Sequence, residues 1–130
     1  MKTFLFSVIL FFTIALNGRA QTADTTLIIN FTGLEHDYGT IEQGSDGTHE
    51  FKFTNGGKTP LILSNVRSSC GCTVPSWTKE PVAPGKEGAI KVVYNTNNVG
   101  NFNKSITVNS NAKYGVVVLH IKGNVVKKKE

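Results

Sequence analysis

From Leu27 onward the chain reads as short extended runs separated by turns rich in glycine, proline and asparagine. Leu27-Ile28-Ile29-Asn30-Phe31 is β-branched and aromatic and predicts a first strand. Leu34 to Ile41 continues extended, and Gln43-Gly44-Ser45-Asp46-Gly47 turns. From Thr48 the period is two: His49, Phe51 and Phe53 share one face, while Thr48, Glu50, Lys52 and Thr54 share the other. Asn55-Gly56-Gly57-Lys58 is a reversal signal, and Pro60 opens a further strand running from Leu61 to Val66. Thr73 to Pro84 reads as irregular, because Pro75, Pro81 and Pro84 each lack a ladder donor. Trp77 lies between these prolines and is expected to cap one end of the core. Ile90, Val92 and Tyr94 then share a face, as do Phe102, Ile106 and Val108. In the last strand the shared set is Val117, Leu119, Ile121 and Val125, with a bulge expected at Gly123.

No run after residue 27 has helical periodicity. Short strands at regular spacing predict an all-β sandwich of two antiparallel sheets, with a small closed barrel as the alternative.

The first twenty residues have another character. Lys2 is followed by an apolar run from Thr3 to Leu16 and then Gly18-Arg19-Ala20. This is the layout of a secretory signal peptide cleaved after Ala20. The apolar run is short for a membrane span. The expected division is therefore 1–20 signal peptide, 21–30 lead-in, 31–126 folded domain and 127–130 basic tail. Removing Lys2 and Arg19 lowers the formal charge from +5 to +3, and part of the remainder is Lys127-Lys128-Lys129. That tail reads as a solvated end, with an anionic surface as the sharper alternative. Nucleic-acid binding is disfavoured by the export signal and by the lack of interleaved aromatic and basic residues.

The two cysteines, Cys70 and Cys72, carry the distinctive chemistry. In a fully extended chain their side chains share a face roughly 6–7 Å apart, too far for a disulfide. Gly71 leaves a tight-turn disulfide open. Buried apolar filling, a soft metal such as copper or zinc, and thiol exchange remain open as well. If a metal binds, Cys70 and Cys72 would be joined by His36 or His49. A hydrogen-bonded core histidine is the competing reading of His49, and a turn or edge position that of His36. His120 alternates with Leu119 and Ile121 and should face solvent. There is no nucleophile elbow, H-E-x-x-H motif or phosphate loop, so no enzyme is predicted.

Several segments together resemble a known family. They are His36-Asp37-Tyr38-Gly39-Thr40-Ile41, Phe51-Lys52-Phe53-Thr54-Asn55-Gly56-Gly57, Pro60-Leu61, Ser69-Cys70-Gly71-Cys72-Thr73 and Pro84-Gly85. They resemble the bacterial family called domain of unknown function 1573 over roughly Phe31 to Val126. Tyr38 stands where phenylalanine is expected. The resemblance implies an exported immunoglobulin-like β-sandwich of about seven strands and carries no activity with it. The expected function is a non-catalytic binding or structural module of the cell envelope, periplasmic or secreted, monomeric, with other envelope or secreted proteins as partners. The alternative is a copper- or zinc-binding or thiol-redox module built on the Cys-Gly-Cys motif.

Overall fold

A computed structural model describes residues 27–129. The expected signal peptide, the start of the lead-in and Glu130 lie outside the described residues. Eight strands follow in order: β1 Ile29–Phe31, β2 Glu35–Glu42, β3 Thr48–Asn55, β4 Leu63–Ser68, β5 Thr73–Trp77, β6 Glu87–Tyr94, β7 Gly100–Ser110 and β8 Val116–Val126. They form two four-stranded sheets, ordered β1-β3-β6-β5 and β2-β8-β7-β4. This is the order of an immunoglobulin-like sandwich whose first strand is divided between the sheets.

The alternation read from the sequence places the core. Phe51, Phe53, Ile90, Val92 and Tyr94 point inward from one sheet, and Val66, Phe102, Ile106, Val108, Leu119, Ile121 and Val125 from the other. Burying one face of each sheet strongly specifies register, since a one-residue slip would turn every apolar side chain outward.

Four features differ from the sequence reading. The lead-in boundary at residue 30 is too late, because Leu27 is buried and Ile29 already pairs with Asn55. β2 runs parallel to β8, so the second sheet is not wholly antiparallel.

The bulge expected at Gly123 lies instead across from it, at Tyr38 and Gly39 of β2, where the β2–β8 register shifts and Gly39 has φ +67°. Gly123 itself keeps regular pairing with Phe102. Its missing Cβ leaves room for the Phe102 ring, whose Cζ would lie 2.9 Å from such an atom.

Finally, Thr73–Trp77 is a strand despite Pro75. Asn95 N donates to Cys72 O (2.8 Å) and Thr78 N donates to Ala89 O (3.1 Å), which sets the phase of this edge strand. Cys72, Val74, Ser76 and Thr78 bond toward β6, so position 75 faces the free edge. Proline costs no ladder bond there and denies a docking strand one donor.

Candidate functional site

The two cysteines sit where the chain leaves β4 in one sheet and enters β5 in the other. Ser69 N donates to Ser105 O (2.9 Å), and Ser105 N donates to Ser69 Oγ (3.2 Å). Cys70 N donates to Ser68 Oγ (3.3 Å). With both flanks held, Cys70 and Cys72 are joined by a disulfide with their Cα atoms 5.3 Å apart. Gly71 does not use the positive φ open to glycine. A loop this short removes little unfolded-state entropy, about 1–2 kcal/mol, so the bond is a local clamp on the crossover.

Cys72 also borders a shallow depression of 410 Å3 between the Ser45-Asp46-Gly47 turn and the end of β6. Val74 and Val93 are cross-strand neighbours on its rim and are 64% and 40% exposed.

The second cluster lies on the seam between the sheets. His36 of β2 and His49 of β3 stack face to face, with ring centroids 3.6 Å apart and planes within 8°. Tyr38 meets His36 edge-on at 4.5 Å, and Phe51 meets His49 edge-on at 4.6 Å. Tyr38 donates from its hydroxyl to Gly47 O (2.7 Å) and leans on Phe102, which stacks with Tyr94 at 3.7 Å. Burial, with the Asp46 carboxylate adding to it, pushes the Tyr38 hydroxyl up to about 12. The hydroxyl is therefore a fixed donor at neutral pH, where phenylalanine would supply none.

Desolvation holds the His49 imidazole below its ordinary value, His36 lowers it further, and Glu50 opposes both. The folded state thus prefers neutral His49. The stability this supplies is present above the ordinary value of 6.5 and is lost as pH falls through the lowered one. Denaturant midpoints should therefore drop between about pH 7 and pH 5, and His49→Phe should flatten that part of the profile. An unaltered profile in the variant would assign the loss to other groups.

The structure brings His36 to His49 and Cys70 to Cys72, but it does not assemble the four as a metal shell. Among the described residues no group of three or more His, Cys, Asp or Glu side chains converges. Sulfurs bonded to each other are not thiolate ligands. The copper or zinc alternative therefore has no support. His120 is exposed. The imidazole stack joins distant strands, and spacing along the chain carries no signal of it.

A family model described as "Protein of unknown function (DUF1573)" matches residues 29–125. No curated protein matches the chain. Among solved structures, a protein of unknown function from Porphyromonas gingivalis W83 is similar at 17% identity and TM-score 0.69, covering 83% of this chain and 51% of that one. This chain thus spans about half the length of that relative. The seventh PapD-like domain of human CEP192 is similar at 8% identity and TM-score 0.67, covering 81% of this chain and 89% of the domain. The chaperone–tip adhesion subunit pre-assembly complex of Acinetobacter baumannii Csu pili contains a similar chain at 11% identity and TM-score 0.56, with 75% and 57% covered. At these identities the likeness is one of fold.

Proposed function

The chain belongs to the DUF1573 family, and from that premise we propose that it is an exported, non-catalytic module that binds an extended segment of another envelope or secreted protein along the free edge of β4. The leader 1–20 directs export, and the folded module from Leu27 to Val126 does the binding.

The carrying observation is how the sheet edges differ. β1 has only three residues. β2 is bulged at Gly39 and carries Glu35, Asp37 and Glu42. β5 has Pro75 turned to its free side. β4 has six residues with neither glycine nor proline; its own register shift, between Leu63 and Asn65, lies at its start and leaves Asn65 to Ser68 regularly paired. The bond from Ser69 N to Ser105 O sets its phase, so Arg67 bonds toward β7 and the Val66 and Ser68 amides face outward. An added strand would gain main-chain hydrogen bonds there, which is the basis of β-augmentation.

A photo-cross-linking residue at Arg67, exposed on β4, should give adducts in the exporting cell. The same residue at Ser76, exposed on β5, should give none. Ser68→Pro removes one outward donor and should abolish the Arg67 adducts. Adducts at Ser76, or adducts at Arg67 that survive Ser68→Pro, would defeat this reading.

A second reading, thiol–disulfide exchange, draws on the half-buried Cys72 beside its depression. A mixed disulfide trapped on Cys70→Ser or Cys72→Ser would favour it over the strand edge.

A further inference from the structure

The chain enters the sandwich at one end, and its hydrogen bonds fix what is gathered there. Lys113 N donates to Leu27 O (2.8 Å), Gly56 N to Ile28 O (2.9 Å) and Asn55 N to Lys86 O (3.0 Å). Ile28 is thereby held beside the β7–β8 hairpin and the turns that carry Lys58 and Lys86. Four large side chains stay in water at this end: Tyr114 at 75%, Val116 at 56%, Ile28 at 46% and Ile62 at 43% exposure, the last bonded to Asn111 of the same hairpin turn. Beneath Tyr114 and Ile28 runs an apolar groove of 210 Å3. Lys113 lines it, Lys58 and Lys86 are exposed on the neighbouring turns, and the exposed carboxylates at this end are Glu87, the first residue of β6, and Glu80, between Thr78 and Val82. The disulfide and the tail Lys127-Lys128-Lys129 are at the other end, where Gln43 N donates to Val126 O.

We infer that this end of the sandwich docks on an anionic lipid surface. A membrane interface favours tyrosine at headgroup depth and lysine against lipid phosphates. The exposed aliphatic side chains supply apolar area for the same boundary. The chain preceding Leu27 points the same way. Its apolar run ends at Leu16, eleven residues upstream, a reach of at most roughly 40 Å. While the leader is still joined to the chain, this end is the one tethered nearest the bilayer.

The inference goes beyond the strand-edge reading and uses different residues. The outward amides of Val66 and Ser68 lie toward the disulfide end of β4 and remain open in a docked module.

The test is co-sedimentation of the chain, as recovered from the exporting cell, with phosphatidylcholine vesicles that contain or lack phosphatidylglycerol. Phosphatidylglycerol should strengthen binding, and salt should weaken it. Replacing Lys58, Lys86 and Lys113 together by Gln should reduce the phosphatidylglycerol-dependent binding on the order of a hundredfold. Tyr114→Ser should weaken it further, and replacing Lys127, Lys128 and Lys129 by Gln should leave it unchanged. No gain from phosphatidylglycerol, or a gain that depends on the tail lysines instead, would overturn the inference. The Arg67 cross-link requires no vesicles, so either proposal can fail alone.

Discussion

Asn55→Ala is expected to lower the stability of the domain by about 3 kcal/mol or more, a large share of what a domain of this size possesses. Asn55 is 1% exposed at the end of β3. Its Nδ2 donates to Thr59 O and to Val82 O, both at 2.8 Å, while its Oδ1 accepts from Gly57 N at 2.8 Å. Its backbone N donates to Lys86 O (3.0 Å), and its carbonyl accepts from Gly85 N (2.9 Å). One side chain therefore ties the turn after β3 to the segment that carries Val82 and Pro84. Truncation leaves Gly57 N and Thr59 O without this partner, each loss costing about 1–3 kcal/mol, and takes one of two donors from Val82 O, which keeps the bond from Leu61 N (2.9 Å). Thermal unfolding should shift downward on the order of 10–20 °C. Asn55→Asp separates lost hydrogen bonds from lost volume, because it keeps the shape and the acceptor but sets a carboxylate against two carbonyl oxygens. That carboxyl would titrate above its ordinary value in the folded state, so the variant should regain stability as pH falls and lose it as pH rises through the raised value. A stability loss under about 1 kcal/mol for Asn55→Ala would mean that water takes over these bonds.

The same residue shows where sequence reading stops. Asn55-Gly56-Gly57-Lys58 reads as a turn from composition alone, and it is one. That its side chain also fastens Val82, twenty-seven residues on, is set by the packing of two connections that the sequence presents only as loops. The strands with one buried face were legible because alternation is the direct image of burial. His49, Phe51 and Phe53 point inward as their phase requires. β5 was not legible, because Pro75 is penalised in a central strand and tolerated only where its nitrogen faces outward. That direction depends on a partner strand. The site was legible in part. The sulfurs announced themselves by rarity and closeness. The stacking of His36 on His49 joins strands of different sheets, and no spacing in the chain encodes it. The parallel pairing of β2 with β8 likewise follows from the passage of the first strand between sheets at Thr32–Leu34.

Phe53 and Gly88 should behave as one unit. Phe53 is fully buried, its ring tilted against Phe31 at a centroid distance of 5.6 Å. It pairs across strands with Gly88 and lies directly over it. A Cβ at Gly88 would fall 2.8 Å from Phe53 Cε2 and nearer still to Cζ. Gly88 is not among the glycines with positive φ, so the backbone accepts alanine and the conflict is steric alone. Phe53→Ala removes a ring from the centre of the core and should cost about 3–5 kcal/mol. Gly88→Ala should cost about 1–3 kcal/mol, because Phe31 on one side and the opposite sheet on the other hold the ring in place. Phe53→Leu draws the side chain back from Gly88 and opens a modest cavity that a methyl group at position 88 would partly fill. The double variant Phe53→Leu/Gly88→Ala should therefore be more stable than the two separate losses predict, with a coupling of about 1–2 kcal/mol measured by denaturant unfolding of all four proteins. Strict additivity would mean that the ring already has room to move. In that case the absence of a side chain at Gly88 would owe nothing to Phe53, and the tight centre assigned to the β3–β6 pair would have to be abandoned.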